Sequence, residues 1–219
     1  LNKTRYASIL ASFAVVVLAG CTTADPTVYA GLSSAAELRP NPQDKTGRVP
    51  YTYRGDVNWQ RYGKIMVDPV TIYSGSDNQF VKLEAADKFE LASYMRNEFT
   101  EKLRSRFAIT NTPGPGTLRL RLTLTGARKT TAVLGPLSHI DIAGGVYNTV
   151  QATRGGEGSM TGSVSYAVEV YDTQTNQLLY AYVTKQYPNA LNVGATLSAL
   201  EASKAGIRKG ADALLGELK

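Results

Sequence analysis

One cysteine, one histidine and one tryptophan are all that 219 residues contain of each, and each scarcity closes off a class of protein. A single cysteine rules out an intrachain disulfide, so the fold must be held by its own core. A zinc site needs three or four clustered Cys, His or carboxylate ligands, which Cys21 and His139 cannot supply. His139 has no Gly-x-Ser-x-Gly context near it, so no nucleophile with a base in reach is readable. The glycines at 155, 156 and 158 lack the Gly-Lys-Ser/Thr ending of a phosphate loop. The apolar run from Tyr6 to Gly20 is short of the ~20 residues that a spanning helix needs. Of the carboxylates that could serve in pairs, Asp68 and Asp172 are explained by a bulge and a turn. Glu169 is explained by the outward face of its strand, which leaves Glu157 alone. The chain is therefore expected to be no enzyme and to carry no cofactor and no metal.

What the chain does have is concentrated at its start. Lys3 and Arg5 precede an apolar stretch from Ala7 to Val17, and Leu18-Ala19-Gly20-Cys21 closes it. That pattern is a secretory signal, and a cysteine directly after Ala-Gly makes it a lipoprotein signal. The Cys21 thiol is expected to take a diacylglyceryl group, while the small Ala19 and Gly20 let a membrane peptidase reach the bond before it. The expected partner is then a lipid bilayer, held through acylated Cys21 at about 0.8 kcal/mol per buried methylene. Thr22, not Asp, follows the cysteine, which predicts the outer membrane, inner leaflet, facing the periplasm. Losing Lys3 and Arg5 with the signal lowers the formal charge from +6 to about +4. Export argues against nucleic acid as the partner of that charge.

Three segments are expected: a signal over 1–20, a lipidated terminus and flexible tether over 21–50, and one α+β domain over 51–219. Pro26, Pro40, Pro42 and Pro50 keep the second from forming a long helix. As a free coil it would span roughly 30 Å and let the body stand off the bilayer, although Tyr29, Leu32 and Leu38 are apolar enough to pack on the domain. A strand is predicted over 62–73, broken by Asp68-Pro69, with Trp59 before it as a core anchor. Leu91, Tyr94, Met95, Phe99 and Leu103 recur at helical spacing within 84–106. After a short strand at 107–110, Leu118, Leu120, Leu122 and Leu124 alternate with Arg119, Arg121, Thr123 and Thr125, giving one buried and one wet face. Strands at 159–171 and 178–187 flank a turn at Asp172–Gln177, and a last helix is predicted over 195–217. There Gly206 and Gly210 either weaken the helix or let it pack closely. The order implies an α+β fold, a mostly antiparallel sheet of four to five strands with two helices packed on one face.

Residues 130–158 have no clear period. Val133, Leu134, Leu137, Ile140 and Ile142 sit there in a glycine-rich frame and need cover, from their own domain, a ligand or a partner.

Gly31-Leu32-Ser33, the run from Tyr62 to Val70, Pro113-Gly114-Pro115-Gly116-Thr117-Leu118, and Glu169-Val170-Tyr171-Asp172-Thr173-Gln174-Thr175 together carry a resemblance. The chain is similar to bacterial lipoproteins of the domain-of-unknown-function 3313 family. Where that family has Thr-Gly at the hairpin, this chain has Thr175-Asn176. The resemblance implies an envelope location and a fold, and no activity. Two functions from different classes fit: an interaction module for an envelope protein or peptidoglycan, or a carrier or sensor of a lipid or small amphiphile beneath 130–158. A carrier should show a sizeable internal apolar cavity, an interaction module a filled core.

Overall fold

The alternation within Thr117–Arg128 dictates the architecture, because it gives one long strand an apolar face and a polar one. In a computed structural model, which describes residues 25–130, 162–188 and 199–219, that strand is the spine of the sheet. In chain order the elements are β1 (Arg39–Pro40), β2 (Tyr51–Arg54), β3 (Lys64–Val67), β4 (Thr71–Ile72), β5 (Gln79–Val81) and α1 (Ala85–Leu103). There follow β6 (Ala108–Ile109), β7 (Thr117–Arg128), β8 (Ser163–Asp172), β9 (Leu178–Gln186) and α2 (Glu201–Glu217). β7 pairs antiparallel with β8, β8 with β9, β9 with β2, and β2 with β1. On its other side β7 meets β3, β4 and β5 in turn, all parallel, and β3 is parallel to β6.

The fold is thus α+β, but the expected sheet of four to five mostly antiparallel strands is too small and too uniform. There are nine strands among the described residues, and the pairing is mixed. The cause is α1: it carries the chain back across the sheet, so the strand after it runs in the same direction as the one before. The two-residue strands β1, β4 and β6 are too short to leave a period in the sequence.

Both helices lie on one face, as their apolar stripes predict. Leu91, Met95, Phe99 and Leu103 of α1 and Ile207, Ala211 and Leu214 of α2 are fully buried against Leu118, Leu120 and Leu124 of β7 and Val164, Tyr166 and Val168 of β8. A register shift between Leu124 and Gly126 absorbs one residue, so Leu124 and Ala127, three apart, both reach the helix side. The first turn of α1 is fixed by Asp87, whose carboxylate accepts the Glu84 N–H (2.9 Å) and pairs with Lys129 (2.7 Å). Trp59, expected as a core anchor, packs partly buried at its margin.

The second face departs most from expectation. Residues 28–50 are not a free tether. Tyr29, Leu32 and Leu38 are buried on the small side chains of Ala167 and Ala181 and on Val183. Each such burial contributes roughly 1.5–3 kcal/mol, enough together to hold a segment that its prolines bar from regular structure. Glu169, expected on an outward face, lies beneath this strap at 3% exposure.

At one end of the sheet the turns interlock. The Tyr62 hydroxyl donates to Asp172 Oδ2 (2.9 Å), and Asp172 Oδ1 accepts the N–H groups of Gln174 and Thr175. Gly116 O accepts the N–H groups of Gly63 and Lys64, while the Thr173 hydroxyl bonds Gly114 and Thr117. Asn176 holds φ 56°, a left-handed geometry that Asn tolerates. Three of the four resembling motifs therefore serve one structural lock.

Candidate functional site

Three stretches far apart in the sequence meet over the polar face of β7. Gly31–Ser33 comes from the strap, Asp68-Pro69 from the gap between β3 and β4, and Glu169 from β8. They border a cleft of about 350 Å³ whose floor is Arg121 and Thr123 and whose wall is Tyr73.

Each position has a local cause. Proline cannot donate to a ladder, so the chain leaves β7 at Asp68–Val70 and the Asp68 carboxylate turns onto the arginine face. Its two oxygens lie 3.5 Å from Arg119 Nε and Arg121 Nε, a distance for ion pairs and not for aligned hydrogen bonds. Gly31 passes so close to the Tyr73 ring that a Cβ would stand 2.8 Å from it, and the Gly31 N–H donates to the Tyr73 hydroxyl (3.2 Å). That hydroxyl in turn donates to Asp77 Oδ1 (2.7 Å). The shared hydrogen bond lowers the Asp77 pKa below the usual carboxylate value and raises that of Tyr73.

Glu169 is held rather than free. Its Oε1 accepts the Ser34 N–H (2.7 Å) and the Tyr171 hydroxyl (3.2 Å). Burial, then the Glu169 charge, push the Tyr171 pKa up to about 12. Arg121 stands opposite Glu169 in the strand register and lays its guanidinium 5.0 Å over the Tyr171 ring. Among the described residues, Arg121 donates no hydrogen bond and Glu169 Oε2 accepts none. The cleft thus presents a half-exposed cation and a carboxylate oxygen side by side.

That arrangement suits recognition better than bond-making. Both carboxylates serve as acceptors here, Asp68 toward two guanidinium groups and Glu169 toward the Ser34 N–H and the Tyr171 hydroxyl. Among the described residues no group of three His, Cys, Asp or Glu side chains could hold a metal ion.

The family described as protein of unknown function DUF3313 matches residues 29–214. The chain belongs to this family. The DUF3313 match opens at Tyr29, the buried first anchor of the strap, so the strap is part of the family domain. No curated protein is significantly similar to the chain. Among solved structures, the PelC dodecamer from Paraburkholderia phytofirmans is 11% identical, with 75% of this chain and 94% of that chain covered and a TM-score of 0.40. The hypothetical protein CT253 from Chlamydia trachomatis is 12% identical (72% and 98% covered, TM-score 0.39). A protein of Caulobacter crescentus CB15 inferred to be a lipoprotein is also 12% identical (69% and 86% covered, TM-score 0.33).

The cleft is not legible in the sequence, where Arg119 and Arg121 read only as the wet face of their strand. A carboxylate at 169 within the apolar alternation of β8 was the available signal, and it was read as a wet face. A second concavity, an apolar groove of about 590 Å³, runs between α1 and the β3–β4 side, with Val70, Ile72, Phe89 and Arg96 on its walls. The lipobox residues Leu18, Ala19, Gly20 and Cys21 lie outside the described residues. So do His139 and the candidate segment Val133, Leu134, Leu137, Ile140 and Ile142. That segment connects β7 to β8, which pair as neighbours up to Arg128 and Ser163. No helix of the described residues is long and apolar enough to cross a membrane.

Proposed function

We propose that this DUF3313 protein is a lipid-anchored interaction module of the cell envelope, held through Cys21 in the inner leaflet of the outer membrane, facing the periplasm. It binds a polar segment of an envelope protein in the Arg121–Glu169 cleft and transforms no substrate. The observation that carries this reading is the convergence of Gly31–Ser33, Asp68-Pro69 and Glu169 on one cleft, where Arg121, ion-paired with Asp68 at 3.5 Å, donates no hydrogen bond among the described residues and Glu169 Oε2 accepts none. A fixed cation beside a fixed acceptor matches a partner that offers a carboxylate or carbonyl together with a donor. The core between helices and sheet is filled, with Leu91, Met95, Phe99, Ile207 and Leu214 fully buried, as an interaction module requires; the carrier reading places its ligand beneath 130–158, most of which lies outside the described residues.

The test places a photo-crosslinking amino acid at Thr71, on the rim of the cleft, in the full-length chain in its native envelope. A discrete protein adduct that disappears on Arg121→Glu supports the module. Crosslinking to sacculi alone would replace the protein partner with peptidoglycan. Equal adducts with and without Arg121→Glu would remove the cleft from the function.

A further inference from the structure

The anchor and the strap together determine which side of the domain meets the membrane. The described chain is already docked at Asp25, whose carbonyl accepts a hydrogen bond from Gln79 Nε2 (2.7 Å). Tyr29 follows with a hydrogen bond from its hydroxyl to Gln79 Oε1 (3.1 Å), and Ala30 N–H with one to Asp77. Only three residues lie between Cys21 and Asp25, so the four Cα–Cα steps reach at most about 14 Å when fully extended. The polar headgroup layer takes up roughly 5–8 Å of that reach. β5, which holds the strap, therefore cannot rise far from the headgroups once Cys21 carries its lipid.

The surface around β5 is unlike the rest. Val81 (47%) and Phe89 (65%) are the exposed large hydrophobic side chains among the described residues. Val81 ends β5, and Phe89 stands in the second turn of α1, on the groove that flanks β4. Lys82 and Arg96 are exposed beside them and have no acidic partner among the described residues. Lys88 lies 4.5 Å over the Phe80 ring. Of the nearby acids, Asp77 is engaged by Tyr73, Asp87 by Lys129 and Glu90 by Lys204, while Glu84 caps the first turn of α1 by accepting the Asp87 N–H. Exposed apolar side chains flanked by Lys82, Lys88 and Arg96, which form no ion pair among the described residues, are what an anionic phospholipid interface receives. The opposite end of β7, about 35 Å away along the strand, carries the polar turn Asp172–Gln177.

We infer that the β4–β5 edge and the first turns of α1 rest on the phospholipid bilayer, with Val81 and Phe89 inserted at headgroup level and Lys82, Lys88 and Arg96 facing lipid phosphates. This rests on the lipid anchor proposed above. It would hold the domain in one orientation, with the Asp172–Gln177 turn farthest from the membrane.

Because the one native cysteine is the acylation site, single cysteines introduced as Val81→Cys, Phe89→Cys or Gln174→Cys each give one labelling position for a fluorophore. The acylated full-length chain is placed in vesicles of phosphatidylethanolamine and phosphatidylglycerol carrying a quencher near the top of the acyl chains. Loss of about half the emission at 81 and 89, with none at 174, is the expected result for side chains at the headgroup–acyl boundary. An acylated chain that floats with the vesicles yet shows equal, weak quenching at all three positions overturns the orientation and leaves the anchor standing. Absence of the acyl mass on Cys21 overturns both. Quenching at 174 that exceeds that at 81 and 89 would invert the proposed face.

Discussion

Replacing Gly210 by alanine sets two effects of opposite sign against each other. Gly210 lies inside α2, where a glycine is about 1 kcal/mol worse than alanine, so by propensity alone the change should stabilise. The packing says otherwise. A Cβ built on Gly210 would lie 1.5 Å from the Tyr166 hydroxyl oxygen and 2.8 Å from its ring carbon. Tyr166 is fully buried, meets Phe99 edge-on at 5.9 Å between ring centroids, and its hydroxyl has no hydrogen-bond partner among the described residues. The ring cannot swing clear without displacing Phe99, so α2 must move off the sheet. Overpacking of this kind costs typically ~1–3 kcal/mol, leaving a net loss of up to about 2 kcal/mol, centred near 1, after the helix gain. For a chain of this size that lowers Tm by about 4 °C. Tyr166→Phe removes an unsatisfied buried hydroxyl and should stabilise by about 1 kcal/mol. In that background Gly210→Ala should cost less, because only the 2.8 Å contact remains. Urea and thermal unfolding of the four members of the cycle, followed by circular dichroism, measure the coupling. A higher Tm for Gly210→Ala in the wild-type background would refute the close approach of α2 to β8. Additive effects would refute the contact with Tyr166.

Leu122→Asp should unfold the domain by burying an unpaired charge, whereas Arg121→Ala, which removes a half-exposed ion pair at 3.5 Å, should cost under about 1 kcal/mol; thermal melts separate the two. Cys21→Ser should abolish incorporation of labelled fatty acid and release the chain from membranes, read by fractionation. Asp77 and Asp87 have pKa values lowered in the fold, chiefly by the hydrogen bonds from Tyr73 and Lys129. Their contribution is complete above the ordinary carboxylate pKa of about 4 and is lost as pH falls below it. Hydrogen exchange at Ala30 and Gly31 should therefore quicken as pH falls below about 4, and Asp77→Asn should remove much of that response; an exchange rate that stays flat on acidification would show that Asp77 does not hold the strap.

The parts of the fold that the sequence makes legible are those with one environment on each side. The leucines of β7 and the stripe of α1 alternate cleanly because the positions opposite them are polar: Arg119 and Arg121 are partly exposed, and Thr123 and Thr125, though buried, keep the period of two. Glu169 breaks that logic. It sits on the second face of β8, and the period of two assigns it correctly to that face, but solvent is replaced there by Leu32, Ser33 and Ser34. The strap leaves no period because it has no regular structure: its prolines and short turns hide three anchors, Tyr29, Leu32 and Leu38, spaced without rhythm. The cleft inherits the same obscurity, since the segments bordering it are joined only in three dimensions. β2 was missed for a related reason. Tyr51 and Tyr53 do alternate with Thr52 and Arg54, but four residues beside a proline read as loop.

The gap at Asp68–Val70 has a consequence beyond placing a carboxylate. Without it, residues 64–81 could form one long strand along β7, with a free row of backbone donors and acceptors on its outer side. Such a row is a template on which a second molecule can add strand by strand. Pro69 and the turn before β5 cut it into pieces of four, two and three residues, and at the far side the sheet stops at the two residues Arg39-Pro40. Among the described residues, neither of these two borders offers an incoming chain enough consecutive pairing to begin polymerising. Many copies confined to one membrane surface would meet constantly at high local density, and these interruptions allow them to be crowded there without joining into fibres.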